Sequence, residues 1–185
     1  MSIKVNYLRF ELPVGTGQFL CYTVPVMDIH IKQTVGTDND FLTILKKLDA
    51  CLDKTIPGRV ELGLHSFYNV GVIKDVFVMM DGDKPIGSAA IWYQDDEYCE
   101  LIRVFMSDDY RGHGLGKLLI EKVEQLAKEK GYKKIYLRTF VQLASAVKLY
   151  EKLGFKHIAD EEYKYASRRK FTPVSDFWLY MAKNL

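Results

Sequence analysis

Arg111-Gly112-His113-Gly114-Leu115-Gly116-Lys117 places three alternating glycines between a strand-like run and an amphipathic helix. Upstream, Cys99-Glu100-Leu101-Ile102-Arg103-Val104-Phe105-Met106 is rich in β-branched and large apolar residues, which suit a half-buried pleated surface. Downstream, Leu115, Leu118, Leu119, Val123, Leu126 and Ala127 fall on one helical face and Glu121, Lys122, Glu124, Lys128 and Glu129 on the other. Glycines at such a junction give the main chain conformations closed to residues with a Cβ, and they let a ligand approach the backbone. The first turn of the helix adds unpaired N–H groups and the positive end of the helix dipole, so the junction suits a polyanion such as a pyrophosphate. The alternative is a glycine-rich turn that only joins strand to helix.

Two familiar glycine motifs fail on these letters. A Walker loop needs Gly-x-x-x-x-Gly-Lys followed by Ser or Thr, but Leu118 follows Lys117 and position 111 is arginine. A dinucleotide fingerprint needs Gly-x-Gly-x-x-Gly, whereas Gly112, Gly114 and Gly116 are spaced Gly-x-Gly-x-Gly. The pattern that fits is Arg-x-x-Gly-x-Gly, on Arg111, Gly114 and Gly116.

A chain of 185 residues is long enough to bury a sizeable core in one domain without staples. Hydrophobic residues at 48% and charged residues at 27% are those of an ordinary globular protein, and a net charge of +2 identifies no partner. The densest basic run, Ser167-Arg168-Arg169-Lys170, reads as a solvated strand end or turn, so no nucleic acid is expected. Met1 to Leu12 carries Lys4, Arg9 and Glu11, and the apolar runs are far shorter than the roughly 20 residues that span a bilayer, so neither export nor a membrane is expected. Cys21, Cys51 and Cys99 are odd in number and widely spaced, which argues against a disulfide framework or a zinc site and for reduced thiols in a cytoplasm. Cys99, inside a strand and without a histidine motif, reads as packing rather than as a nucleophile.

Along the chain, Ile3 to Glu11 and Gln18 to Val24 read as strands around Pro13 to Gly17, an amino-terminal hairpin. Met27 to Val35 reads as a strand, and Phe41, Leu42, Leu45, Leu48 and Leu52 as one face of a helix that ends before Pro57-Gly58. Val60 to Val72 reads as a loop or second helix. Asp75 to Met80 and Pro85 to Tyr93 form a hairpin across Asp81-Gly82-Asp83-Lys84, followed by the strand Tyr98 to Met106. After the glycine loop and its helix come the strand Ile135 to Phe140, the helix Ala144 to Leu153 and two strands around Thr172-Pro173. This order predicts an α/β (α+β) fold, a mixed and mostly antiparallel central sheet flanked by helices, with an extra amino-terminal hairpin.

A second motif, Ala144-Ser-Ala-Val-Lys-Leu-Tyr150-Glu-Lys-Leu-Gly-Phe155, follows the glycine loop after one helix and one strand. Together the two segments resemble the GCN5-related N-acetyltransferase (GNAT) superfamily, whose members carry Arg-x-x-Gly-x-Gly and, downstream, Ala-x-x-Leu-Tyr-x-x-x-Gly-Phe. Lys84-Pro-Ile-Gly87-Ser-Ala-Ala-Ile91 is similar to the family's third strand. The resemblance spans Met27 to the carboxyl end and is strongest from Asp75 to Phe155. It implies a GNAT domain at 27–185 and leaves 1–26 as an extension, a hairpin packed on the domain.

The resemblance implies an N-acetyltransferase that uses acetyl-CoA, without a metal, to acetylate a primary amine of a small molecule, peptide or protein. The backbone of Val104, Phe105 and Met106 is expected to splay from its neighbour and pair with the pantetheine, and Gly112, His113, Gly114, Leu115, Gly116 and Lys117 to hold the pyrophosphate. Arg111 is expected to order the loop or touch phosphate. Tyr150 matches the family's general acid, which protonates the departing thiolate. Glu100 is the leading general base, ahead of Glu97 and Asp75. Where many relatives carry an asparagine that touches the cofactor this chain has Leu143, with Gln142 as a substitute. The acceptor is expected against Phe41 to Val72 and Tyr163 to Phe177, where aromatic residues are compatible with a pocket, a core or a homodimer face. The alternative function is a non-catalytic module that binds acyl-CoA and regulates a partner.

Overall fold

The computed structural model describes residues 2–5, 11–14, 18–21, 27–59, 69–163 and 177–185. Its elements, in chain order, are strands β1 (Ser2–Val5), β2 (Glu11–Val14), β3 (Gln18–Cys21) and β4 (Met27–Thr34), helix α1 (Asn39–Thr55), strands β5 (Asp75–Asp81), β6 (Lys84–Tyr93) and β7 (Tyr98–Met106), helix α2 (Leu115–Glu129), strand β8 (Lys134–Phe140), helix α3 (Ala144–Lys152), and strands β9 (Lys156–Ile158) and β10 (Trp178–Asn184). The 60–68 part of the ambiguous segment, the basic run at 167–170 and the turn at Thr172-Pro173 lie outside the described residues.

Asp75-Val-Phe-Val-Met-Met is apolar without alternation because β5 is covered on both faces. Val76, Val78 and Met80 pack with Phe41 and Leu45 of α1. Phe77 and Met79 pack with Leu119, Ile120 and Val123 of α2. The two helices thus lie on opposite faces of one eight-stranded sheet of order β1-β4-β5-β6-β7-β8-β10-β9. All pairs are antiparallel except β7 with β8. β2 and β3 pair antiparallel as a separate hairpin, and β1 joins the main sheet beside β4.

α1 begins at Asp38, whose carboxylate accepts from the backbone N–H groups of Asp40 and Phe41, satisfying donors that a helix start leaves open. α3 docks beside the start of α2. A Cβ on Gly116 would sit 3.3 Å from the Leu149 side chain, so the third glycine of the loop serves the close approach of these helices.

Two irregularities interrupt the middle of the sheet. The parallel register of β7 and β8 runs only from Tyr98 opposite Lys134 to Leu101 opposite Leu137. Beyond it, β7 continues to Met106 while β8 keeps pairing with β10 up to Phe140, so the sheet opens into a notch. On its other side β7 carries a bulge, because Ser88 faces Phe105 while Ala90 faces Ile102. Arg103 takes φ +56° there, an unusual value for a residue with a side chain. The buried Ser88 hydroxyl donates to the Arg103 carbonyl at 2.9 Å and pins the bulge.

Candidate active site

The notch between β7 and β8 holds a cleft of about 140 Å³, to which both faces of the sheet contribute. Glu100 and Ile102 enter from the α1 face, as does Arg138, which alternates with the core residue Leu137. Tyr150 enters from α3, on the α2 side. Glu100, Val104 and Tyr150, chosen from sequence for three different roles, therefore line one cleft.

Glu100 is 1% exposed, and the buried Tyr163 donates its hydroxyl to this carboxylate. Tyr163 stacks obliquely on Tyr180 and edge-on against Tyr136, which fixes the phenol that fixes the carboxylate. Tyr150 packs edge-on against Phe155. Among the described residues nothing bonds to its hydroxyl, and burial raises the phenol above its ordinary value of 10.0, so the proton stays on oxygen at neutral pH.

The other candidates for proton transfer lie elsewhere. Asp75 is bonded by Tyr93 and Gln33 and faces Lys130, while Glu97 pairs with Lys133. Neither lines the cleft. Cys99 is fully buried, and burial, with Glu100 beside it, pushes its thiol up to about 12, which leaves it an inert packing group. His113 is exposed in the loop. Gln142 is exposed and does not line the cleft, whereas Leu143 does, packing with Ile56 and Phe140.

The glycine loop has the form of an anion cradle. Gly112 and Gly114 have φ of +82° and +77°, and open space stands where a Cβ would be. Gly114 is the N-cap of α2 and no side chain caps that end. The first-turn N–H groups are thus left for an outside acceptor. Arg111 orders the loop: its Nε donates to the Met106 carbonyl at 2.9 Å, its guanidinium pairs with Asp108 at 2.8 Å, and it lies over the Phe105 ring. Phe105 and Val104 are half-buried, and Met106 is buried over Gly87. Past Leu101 no described strand pairs with the edge of β7 that faced β8, so its main-chain groups can take an extended amide chain as a further strand. An edge that can pair with amides and, next along the chain, a glycine loop that can hold an anion suit the polarity and order of a pantetheine arm ending in a pyrophosphate. Among the described residues no cluster of His, Cys, Asp or Glu gathers to hold a metal.

Three contributors were not legible beforehand. Arg138 lies with its guanidinium 3.9 Å from the centre of the Trp178 ring. Arg59 is 5% exposed and bonded to Asp53 and Asp49. Both line the cleft. Tyr163 stood out only as an aromatic, without its bond to Glu100. The one available signal was a charged residue inside an otherwise uncharged run, Ile135-Tyr-Leu-Arg138-Thr-Phe140.

The layered fold with its notched sheet is that of acetyltransferases. An acetyltransferase from Streptococcus agalactiae superposes with a TM-score of 0.65 at 20% identity, over 85% of this chain and 98% of that one. A GNAT family acetyltransferase from Elizabethkingia anophelis, solved with acetyl-CoA bound, gives a TM-score of 0.57 at 16% identity, over 85% and 98%. The family model described as "Acetyltransferase (GNAT) family" matches residues 53–155, more than half of the chain. The protein belongs to the GNAT acetyltransferase family. Among relatives, the uncharacterized N-acetyltransferase YjgM of Escherichia coli is 39% identical over 72 residues, covering 39% of this chain and 43% of YjgM. The chain spans less than half the length of the curated relatives it matches. No described helix is long and apolar enough to cross a membrane.

Proposed function

We propose that the protein transfers the acetyl group of acetyl-CoA to a primary amine. The observation that carries this reading is the convergence of Glu100 and Tyr150, from opposite faces of the sheet, on the notch between β7 and β8. The open edge at Val104 to Met106 binds the pantetheine, and the N–H groups from Gly112 to Lys117, His113 and Leu115 included, bind the pyrophosphate. One such dipole contact is worth about 0.3 to 2 kcal/mol, so several act together. The bound acetyl-CoA in the Elizabethkingia structure supports the choice of donor. Acetyl-CoA, when bound, supplies an activated thioester.

The acceptor is an ammonium with an ordinary pKa of about 10.4, and freeing its lone pair at pH 7 costs roughly 4 to 5 kcal/mol. Glu100 takes that proton, directly or through one water, and Tyr163 holds the carboxylate in place as a positioning residue. As the N–C bond forms and the C–S bond breaks, the Tyr150 hydroxyl gives its proton to the departing sulfur. Free thiols at Cys51 and Cys99 suit a reducing compartment, the cytoplasm.

Thiol release from acetyl-CoA over a panel of primary amines tests the reading. Tyr150→Phe is expected to lower kcat by about 10²- to 10⁴-fold, the usual worth of a positioned acid, with CoA affinity measured by calorimetry unchanged. Unaltered turnover in that variant excludes the acid role, and acyl-CoA binding without thiol release for any amine favours a non-catalytic, regulatory module.

A further inference from the structure

The cleft that faces the acceptor is cationic. Among the described residues that line it, Arg59, Arg103 and Arg138 stand against one carboxylate, that of Glu100. Arg59 is matched by Asp53 and Asp49. Arg138 is different. It sits one residue past the last β7–β8 pair, on the same face as Glu100. Its guanidinium lies over the Trp178 indole, which stacks on Phe140 at 4.1 Å. Among the described residues no carboxylate or carbonyl bonds to it.

Stacking of this kind is favourable and fixes the plane of the guanidinium. It leaves the planar fork of N–H donors without a bond to any described carboxylate or carbonyl, and that fork matches the two oxygens of a carboxylate. A half-buried cation that no described carboxylate meets carries a desolvation cost that an anionic ligand would offset. The cleft, at about 140 Å³, is smaller than the roughly 300 Å³ at which pockets for drug-sized ligands begin.

We infer that Arg138, held flat on Trp178, is a specificity-determining residue that binds a carboxylate of the acceptor, so that the acceptor is a small amine of the amino-acid class. This rests on the cleft being the site of acetyl transfer. Glu100 then acts on the amine and Tyr150 on the departing sulfur while Arg138 holds the other end of the acceptor, which orients the nucleophile.

The test compares free L-amino acids with their carboxamides, which keep the amine and lose the charge. With the full chain and acetyl-CoA, kcat/KM from thiol release is expected to favour the acids by about 10- to 100-fold, the worth of a charged hydrogen-bonded contact. Arg138→Gln is expected to bring that ratio to about one, the loss falling on KM rather than kcat. Arg138→Lys, with a charge but no fork, is expected to fall between. In parallel, calorimetry on the protein saturated with CoA is expected to show binding of the acids, not the amides, and its loss in Arg138→Gln. Amides turned over as well as acids, or a preference that survives Arg138→Gln, overturn the assignment and leave acetyl transfer standing. Acid-selective binding that needs Arg138, without thiol release, supports the carboxylate site and overturns acetyl transfer. The absence of both selective binding and selective turnover overturns the assignment.

Discussion

A Cβ added at Gly114 would meet nothing within 4 Å but would have to adopt φ +77°, whereas one added at Gly87 would stand 2.8 Å from the Phe105 carbonyl oxygen and 2.7 Å from the Met106 methyl. These positions fail differently. Gly114→Ala is expected to cost about 1–2 kcal/mol of backbone strain and to weaken acetyl-CoA binding by turning the loop N–H groups. Gly87→Ala must push main chain away, at about 1–3 kcal/mol for overpacking, and the displaced segment is the open edge of β7. Thermal unfolding together with calorimetric titration of CoA checks both variants. Equal stability of Gly87→Ala and the unaltered protein would refute the close-approach argument. Both glycines stand out in the sequence, but only the tertiary structure separates a conformational demand from a steric one.

The notch is a property of β7 as an element. Its parallel pairing with β8 stops at Leu101, and the bulge opposite Ala89 turns the strand further from its neighbour. Ser88, buried inside an otherwise apolar strand, is explained by its bond to the Arg103 carbonyl. Ser88→Ala leaves that carbonyl without this donor, so a loss of about 1–3 kcal/mol in denaturant unfolding is expected, with a raised KM for acetyl-CoA. A KM equal to that of the unaltered protein would show that the bulge does not set the cofactor edge. The strands and helices were legible because their periods are local: Phe41, Leu45 and Leu48 mark a helix and the Asp75 to Met80 run a covered strand. The end of the β7–β8 pairing was expected only through the family resemblance, since a strand pattern carries no record of where its neighbour leaves it.

Asp75 ties several elements into one structure. On β5, it accepts from Tyr93 of β6 and Gln33 of β4 and faces Lys130 at the end of α2. Burial alone would raise its carboxyl, but the bonds from Tyr93, Gln33 and Lys130 outweigh it and hold the group below its ordinary 3.8. A carboxylate depressed in the folded state contributes stability above its unfolded value and loses it as pH falls through the folded one. The acid decline in unfolding temperature is therefore expected below about pH 4. Asp75→Asn is expected to be less stable than the unaltered protein at pH 7 and to converge with it in acid. A constant gap between the two curves from pH 7 to the acid limb would remove Asp75 from the account.

The donor side of this protein was written in the chain. A glycine loop at a helix start and Tyr150 in its helical motif depend on backbone conformation and spacing over a few residues, which local sequence controls. The proposed acceptor side was decided by tertiary structure. Tyr163 reaches Glu100 across 63 positions, and Arg138 meets Trp178 only because β8 and β10 are neighbours in register. Such contacts depend on strand order and on where one pairing stops, and no short stretch of sequence encodes either.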